Sequence, residues 1–219
     1  MLRDGGRSRF ILPLLDVKLP DGRVESYFVP LAAEPEQKDG PALIHAAARL
    51  RRGALTGLLY EAEACEGFVP AIVAALRRSE RLDTGQGGGI SFSPTPRLGA
   101  ELMIEASDVY RIGAGRNNSS LVLANQMLLK IRHRIQTGTD PEVETLRFVT
   151  EVARFPNAPL LLGVVDYVDS EQNHTVLAIL QTFMRNQGDA WTWTLGALKR
   201  LIEAAALTRS GKCVAALIA

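Results

Sequence analysis

From residue 11 to residue 19 the chain is apolar and β-leaning, then Pro20, Asp21, Gly22 and Arg23 supply turn chemistry, and an apolar run returns over 24–31. That order predicts a β-hairpin, because proline presets one turn dihedral and glycine admits a positive φ. Residues 34–41 are polar with proline near both ends and read as a loop. The alanine-rich stretch 42–52 predicts a short helix that stops at Gly53, followed by a strand over 54–60. Phe68, Ile72, Ala75 and Leu76 recur at helical spacing, which predicts a helix over 67–78 with one apolar stripe. The glycine-dense residues 85–89 form a loop and 90–94 resume as a strand. The first part of the chain therefore reads as a small α+β unit ending near Ala106.

Beyond Asp108 the pattern changes. A strand is predicted over 109–113, a turn of small and polar residues over 114–119, and a hairpin of 120–124 with 127–132 around Asn125 and Gln126. Residues 137–141 form a loop that ends in a helix start: Asp140 or Thr139 can cap it, Pro141 suits the first turn, and Glu142 favours the N-terminal dipole. That helix is expected to reach about Phe155, with Val143, Leu146, Val149 and Val152 along one face. Strands over 160–168 and 176–184 follow, joined by a turn at 169–173. Hairpin, helix, hairpin is the order of a protein-kinase-like N-lobe.

Composition narrows the function classes. Of 219 residues, 47% are hydrophobic and 22% charged, enough to bury a core. The formal net charge of +1 gives no electrostatic case for nucleic acid or an anionic membrane as partner. Cys65 and Cys213 stand far apart with no histidine at metal spacing, so neither a disulfide framework nor a zinc site is expected, and a cytoplasmic location fits. Residues 1–10 are polar, the apolar run after them is broken by Pro13, and the alanine-rich end 204–219 is interrupted by Arg209, Ser210, Gly211 and Lys212. No secretory signal or membrane span is expected.

A phosphotransferase must hold phosphates, neutralise charge on the group being transferred, and position an acceptor hydroxyl. Small residues in the turn 113–120 let backbone N–H groups approach phosphate oxygens. Lys130, on the strand that follows, can reach those oxygens as a point charge, and Glu142 or Glu144 on the next helix can hold that lysine in place. Each signal alone has a plainer explanation: a simple turn, a solvated basic strand end beside Arg132, His133 and Arg134, and acidic residues serving the helix dipole. Their order and spacing together point to a nucleotide lobe. His45, His133 and His174 are scattered and read as ordinary surface or half-buried residues, Cys65 as a small buried one, and Trp191 and Trp193 as packing residues.

The same stretch resembles the maltokinase family. RIGAGRNNSS (111–120) looks like the turn written RxGAEQSNTS, LLK (128–130) like LxLK, and DPEVE with RFVTE (140–151) like NPELEVGRFLTE. LQTF followed by RNQGDAWTWTL (180–195) is similar to LQGFVxNQGDGWxWTL, and YFVPLA (27–32) and GLLY (57–60) resemble the segment that precedes the lobe. The resemblance covers about residues 11–203 and implies an α+β fold: an N-terminal cap subdomain over 1–106, a protein-kinase-like β-rich N-lobe over 107–186, and the start of a helical C-lobe over 187–219, with the rest of the C-lobe missing.

It further implies ATP as phosphoryl donor with Mg2+, and maltose as acceptor once the C-lobe is supplied, giving maltose 1-phosphate. A trehalose synthase is implied as a possible fused or separate partner. Carried over by position, Asn118, Ser119 and Ser120 fall in the phosphate-facing turn, Lys130 becomes the phosphate lysine and Glu144 its helix partner. Gln181 and Phe183 fall in the hinge that meets adenine. The turn departs from the family at Gly115, Arg116 and Asn117. No catalytic residue and no magnesium ligand is expected in this chain, because the family's His-Gly-Asp segment lies beyond Ala219, so no kinase activity is expected of the chain alone. The competing readings are a non-catalytic cap and N-lobe module, a remnant of a decayed gene, and an aminoglycoside- or choline-type kinase.

Overall fold

A computed structural model describes residues 2–3, 9–35, 46–53, 55–85, 87–99, 109–114, 117–185, 188 and 190–217, with side chains described as far as residue 206 except at 52, 55, 113 and 114. It divides into two units, Met1–Phe183 and Met184–Ala219. In the first unit, β1 (Leu2–Arg3) and β2 (Arg9–Ile11) precede the expected hairpin, which forms as β3 (Leu14–Lys18) and β4 (Val24–Phe28). Gly22 at the turn has φ +85°, the left-handed backbone that glycine adopts without steric cost.

Then come β5 (Leu31–Pro35), β6 (Ala46–Arg52) and β7 (Leu55–Glu61), which with β1 and β2 make an antiparallel five-stranded sheet in the order β1-β2-β5-β7-β6. The helix expected over 42–52 is corrected here. Residues 42–45 lie outside the described set, and Ala46–Arg52 is a strand that pairs along β7. Gly53, at φ +63°, turns the chain sharply enough that β7 offers a ladder to the alanine-rich segment, and pairing outweighs a small helix propensity. The exposed arginines Arg49 and Arg51 on this edge strand discourage further pairing.

One turn of 3₁₀ helix, Ala62–Ala64, leads to α1 (Phe68–Arg77). Burial of α1 goes well past the predicted stripe: Val69, Ala71 and Val73 are buried along with Phe68, Ile72, Ala75 and Leu76. The reason is that α1 packs against β1 of the first sheet and also against β9 (Gly89–Pro94) and β14 (Leu161–Val168) of the second. Phe10 meets Phe68 edge to face at 5.2 Å between ring centroids, a favoured aromatic geometry.

The second sheet is antiparallel throughout, in the order β10-β11-β12-β15-β14-β9-β8, with β8 (Arg81–Asp83), β10 (Val109–Ala114), β11 (Asn118–Leu123), β12 (Met127–Arg132) and β15 (His174–Thr182). Strands on either side of residue 106 thus share one sheet. Directly after β12, β13 (Arg134–Ile135) pairs with β4 to complete a three-stranded sheet β13-β4-β3.

Two glycines mark where backbones come close. An added Cβ at Gly57 would lie 2.7 Å from the Glu34 carbonyl oxygen, which cannot rotate away. Gly57→Ala is therefore expected to destabilise the protein by about 1–3 kcal/mol, measured as a lowered urea midpoint at unchanged slope. Gly163 leaves room for Leu76 of α1, whose Cδ2 would sit 2.9 Å from an added Cβ.

The helix expected over 141–155 is shorter. α2 (Pro141–Arg147) gives way to a π-turn at Phe148–Val152. The wider turn shifts the helical phase, so Thr150 points inward and its hydroxyl accepts the Leu161 N–H at 2.8 Å, while Val152 is exposed. The second unit carries α3 (Ala190–Leu217), along which Trp191, Trp193, Leu195, Leu198, Leu201 and Ile202 are exposed. Among the described residues no helix is long and apolar enough to cross a membrane.

Candidate functional site

Strand alternation builds the site. β11 and β12 pair in the register Asn118↔Arg132, Ser119↔Ile131 and Ser120↔Lys130. Since side chains alternate between faces, Asn118, Ser120, Lys130 and Arg132 share one face and Ser119 shares the other with Ile131. Burial agrees: Ser119 and Ile131 are buried, and the four others are half-buried. Of the turn 113–120, residues 115 and 116 lie outside the described set.

On the polar face, Lys130 Nζ donates to Glu142 Oε1 at 2.5 Å, and Arg132 donates to Glu142 Oε2 at 2.6 Å. Glu142 sits there because α2 is fixed at both ends. Asp140 caps it, its Oδ1 accepting the N–H groups of Glu142 at 2.9 Å and Val143 at 3.1 Å, as the sequence predicts. Val143 and Leu146 are buried against Leu161, Val164 and Ile179.

The carry-over of Glu144 as lysine partner is corrected by this seating. At about 100° per residue, a helix that presses Val143 and Leu146 into the sheet puts Glu142 on the flank beside β12 and turns Glu144 outward, where it is exposed. Burial pushes the Glu142 carboxyl up, but hydrogen bonding and charge from Lys130, then Arg132, outweigh it and hold its pKa below the ordinary value. A depressed carboxylate contributes stability above its unfolded pKa, about 4.3, and loses it as pH falls through the lower folded value. Glu142→Gln is therefore expected to lose less stability than the parent chain on acidification through this window, measured by urea unfolding at stepped pH.

Ser119 does not share the face of Asn118, Ser120 and Lys130. On the opposite face its hydroxyl accepts from Arg111 at 2.6 Å and pairs with His133 Nε2 at 2.6 Å. Beneath them lies Glu63, its side chain only 3% exposed, with Oε1 3.4 Å from His133 and Oε2 3.3 Å from Arg111. That Oε2 makes a charge contact and no hydrogen bond. The cluster ties the 3₁₀ turn after β7 to β10, β11 and the residue joining β12 to β13. His133 also holds the turn through its backbone, its N–H donating to the Asn117 carbonyl at 2.8 Å.

At the far end of the sheet, Gln181 is buried on β15 between β12 and β14, and its side-chain Oε1 has no hydrogen-bond partner. The N–H groups of Thr182 and Phe183 donate to Leu160 and Gln126 carbonyls at 2.9 and 2.7 Å. The run at 186–189 is described only at Gly188, so the rest of that motif lies outside the described residues, as does His45.

A cleft of about 470 Å³ adjoins the polar face, lined among others by Asn117, Asn118, Arg132, Thr139, Asp140 and Glu142. Its size suits a small molecule, and the cations that line it are already paired, Arg132 with Asp140 and Glu142 and Arg134 with Glu25. Among the described residues no group of three or more histidines, cysteines or carboxylates is arranged to hold a metal ion. Sequence reasoning missed Arg132, although its two-residue spacing from Lys130 was the available signal. It also missed Glu63, Arg111 and His133, which come together only through the fold.

No protein-family model matches the chain. Among solved structures, the chain is similar to a glucosamine kinase in complex with glucosamine, ADP and inorganic phosphate, at TM-score 0.50 and 16% identity over 91% of this chain and 41% of that one. Two further glucosamine kinase structures, crystal forms A and B, match at 16% identity with TM-scores of 0.42 and 0.44, over 90% and 93% of this chain. The chain has an α+β fold with mostly antiparallel sheets, similar to that of the first of these structures, and it spans about 41% of the length of that structure.

Proposed function

We propose that this chain is the nucleotide-binding part of an ATP-dependent sugar kinase of the maltokinase type. The observation that carries the reading is the Lys130–Glu142 ion pair beside a turn between two strands. A helix carboxylate that holds a strand lysine is the arrangement that presents an ammonium to phosphate oxygens. Ser120, directly across from Lys130, and Asn118, two residues along the same face, offer further donors to the phosphates. ATP, when bound, supplies the phosphoryl group; the chain's own residues bind and orient it.

Maltose as acceptor, the base and magnesium ligands in a C-lobe, the division into cap (1–106), N-lobe (107–186) and C-lobe start (187–219), and a trehalose synthase partner all rest on the sequence resemblance. In this reading the isolated chain binds ATP without turnover, and an added C-lobe restores transfer to maltose. Calorimetric titration with ATP and Mg2+ tests it: saturable one-site binding is expected. Absence of binding at millimolar ATP favours the non-catalytic module.

A further inference from the structure

Arg132 has no part in the reading above, yet it is the most heavily connected side chain on the polar face. It lies two residues past Lys130 and is more buried, 17% exposed against 27%. Its NH2 group donates to Glu142 Oε2 at 2.6 Å and to Asp140 Oδ2 at 3.1 Å. With the Asn118 amide turned to satisfy its neighbours, the Asn118 oxygen accepts from Arg132 NH1 at 3.2 Å. Nε is buried with no partner. One guanidinium therefore joins strand β11, the cap of α2 and the carboxylate that holds Lys130.

The geometry has a consequence for Glu142. A carboxylate held at one oxygen can swing about its last torsion, which is broad and weakly restrained. A carboxylate held at both oxygens cannot. Lys130 takes one oxygen and Arg132 the other, and a planar guanidinium fixes direction in a way an ammonium does not. Because its NH2 already serves two carboxylates, Arg132 is not free to bind phosphate strongly itself.

We infer that Arg132 is a positioning residue for the nucleotide site: it pins Glu142 and the start of α2 to β12, and so sets where the Lys130 ammonium stands. This rests on the reading that Lys130 meets the phosphates. The charged groups that face Glu142 are Lys130 and Arg132 from β12 and Asp140 from its own helix. Arg134 lines the same cleft but is held by Glu25 at 2.7 Å, and His133 belongs to the opposite face.

The test follows the Glu142 carboxyl by carbon-13 NMR against pH, together with ATP affinity, in the parent chain, Arg132→Gln, Arg132→Lys and Lys130→Ala. In Arg132→Gln the Glu142 midpoint is expected to rise toward that of free glutamate. ATP affinity is expected to fall roughly tenfold, the worth of one hydrogen bond to a charged group, with the largest loss at the acid end. Arg132→Lys, which keeps the charge and loses the fork, is expected to recover the midpoint more than the affinity; should Arg132→Gln not fold, this split in Arg132→Lys decides alone. An unmoved midpoint, or full affinity in either Arg132 variant while Lys130→Ala is impaired, overturns the inference. If Lys130→Ala also binds ATP normally, the nucleotide reading fails, and the Glu142 midpoint still reports on whether Arg132 pins the carboxylate.

Discussion

Lys130→Ala is expected to weaken ATP binding by roughly 10- to 100-fold, the equivalent of removing a charge-assisted contact of about 1.5–3 kcal/mol. The lysine is half-buried on β12, Glu142 holds its ammonium, and Ser120 stands opposite it in the β11–β12 register. Truncation removes the point charge and leaves Glu142 still paired with Arg132, so the lost attraction accounts for the effect. The fold should survive, since the pair is partly exposed and Arg132 still neutralises the carboxylate. Calorimetry on Lys130→Ala, with exposed Lys18→Ala as control, measures the effect; equal affinities for the two variants would remove the lysine from the site.

The second large effect concerns stability. Glu63→Ala is expected to cost about 3 kcal/mol, the lower end of the range for breaking a buried ion pair, because Arg111 and His133 are partly exposed and can recover some solvation. Glu63 is 3% exposed and sits between the Arg111 guanidinium and the His133 ring, which also converge on the Ser119 hydroxyl. Removing the carboxylate leaves those groups facing one another around a void. Glu63→Gln keeps the volume and one acceptor oxygen, so it is expected to fall between Ala and the parent chain. Urea unfolding measures both, and a loss under about 0.5 kcal/mol for Glu63→Ala, the level of an ordinary surface change, would show that the cluster is not a tie.

Residues that act locally were legible in the sequence. The Pro20–Arg23 turn, the Asp140 cap with Pro141 after it, and the hairpin around Asn125 and Gln126 stand where local chemistry predicts them, because caps and turns are decided by a few adjacent residues. Long-range pairing was not legible. Ala46–Arg52 looks helical in isolation and becomes a strand because β7 lies beside it. β8 and β9, read as the end of a first unit, continue the sheet that holds Lys130. α1 shows a one-sided stripe in sequence and is buried more widely because two sheets enclose it.

The candidate site divides the same way. Lys130 is readable from its strand and turn. The choice of Glu142 over Glu144 needs the helix phase, which Val143 and Leu146 set only by packing on β14 and β15. The motif groups Ser119 with Asn118 and Ser120, and strict two-residue alternation from Lys130 through its register partner Ser120 turns it to the other face. Glu63 gives no local signal at all: its partners Arg111 and His133 lie far along the chain, and only the fold brings them together.

These pieces fit a lobe in which one sheet face carries a polar patch of Lys130, Arg132 and Ser120, while the reverse face is locked to the rest of the chain through Glu63. Nuclear magnetic resonance mapping of bound ATP and Mg2+ tests that division most directly. Backbone and side-chain signals of Asn118, Ser120, Lys130 and Glu142 are predicted to shift with saturation, with Glu63, Leu129 and Ile131 little changed. Shifts confined to residues away from β11, β12 and α2, or none at millimolar nucleotide, would contradict the account.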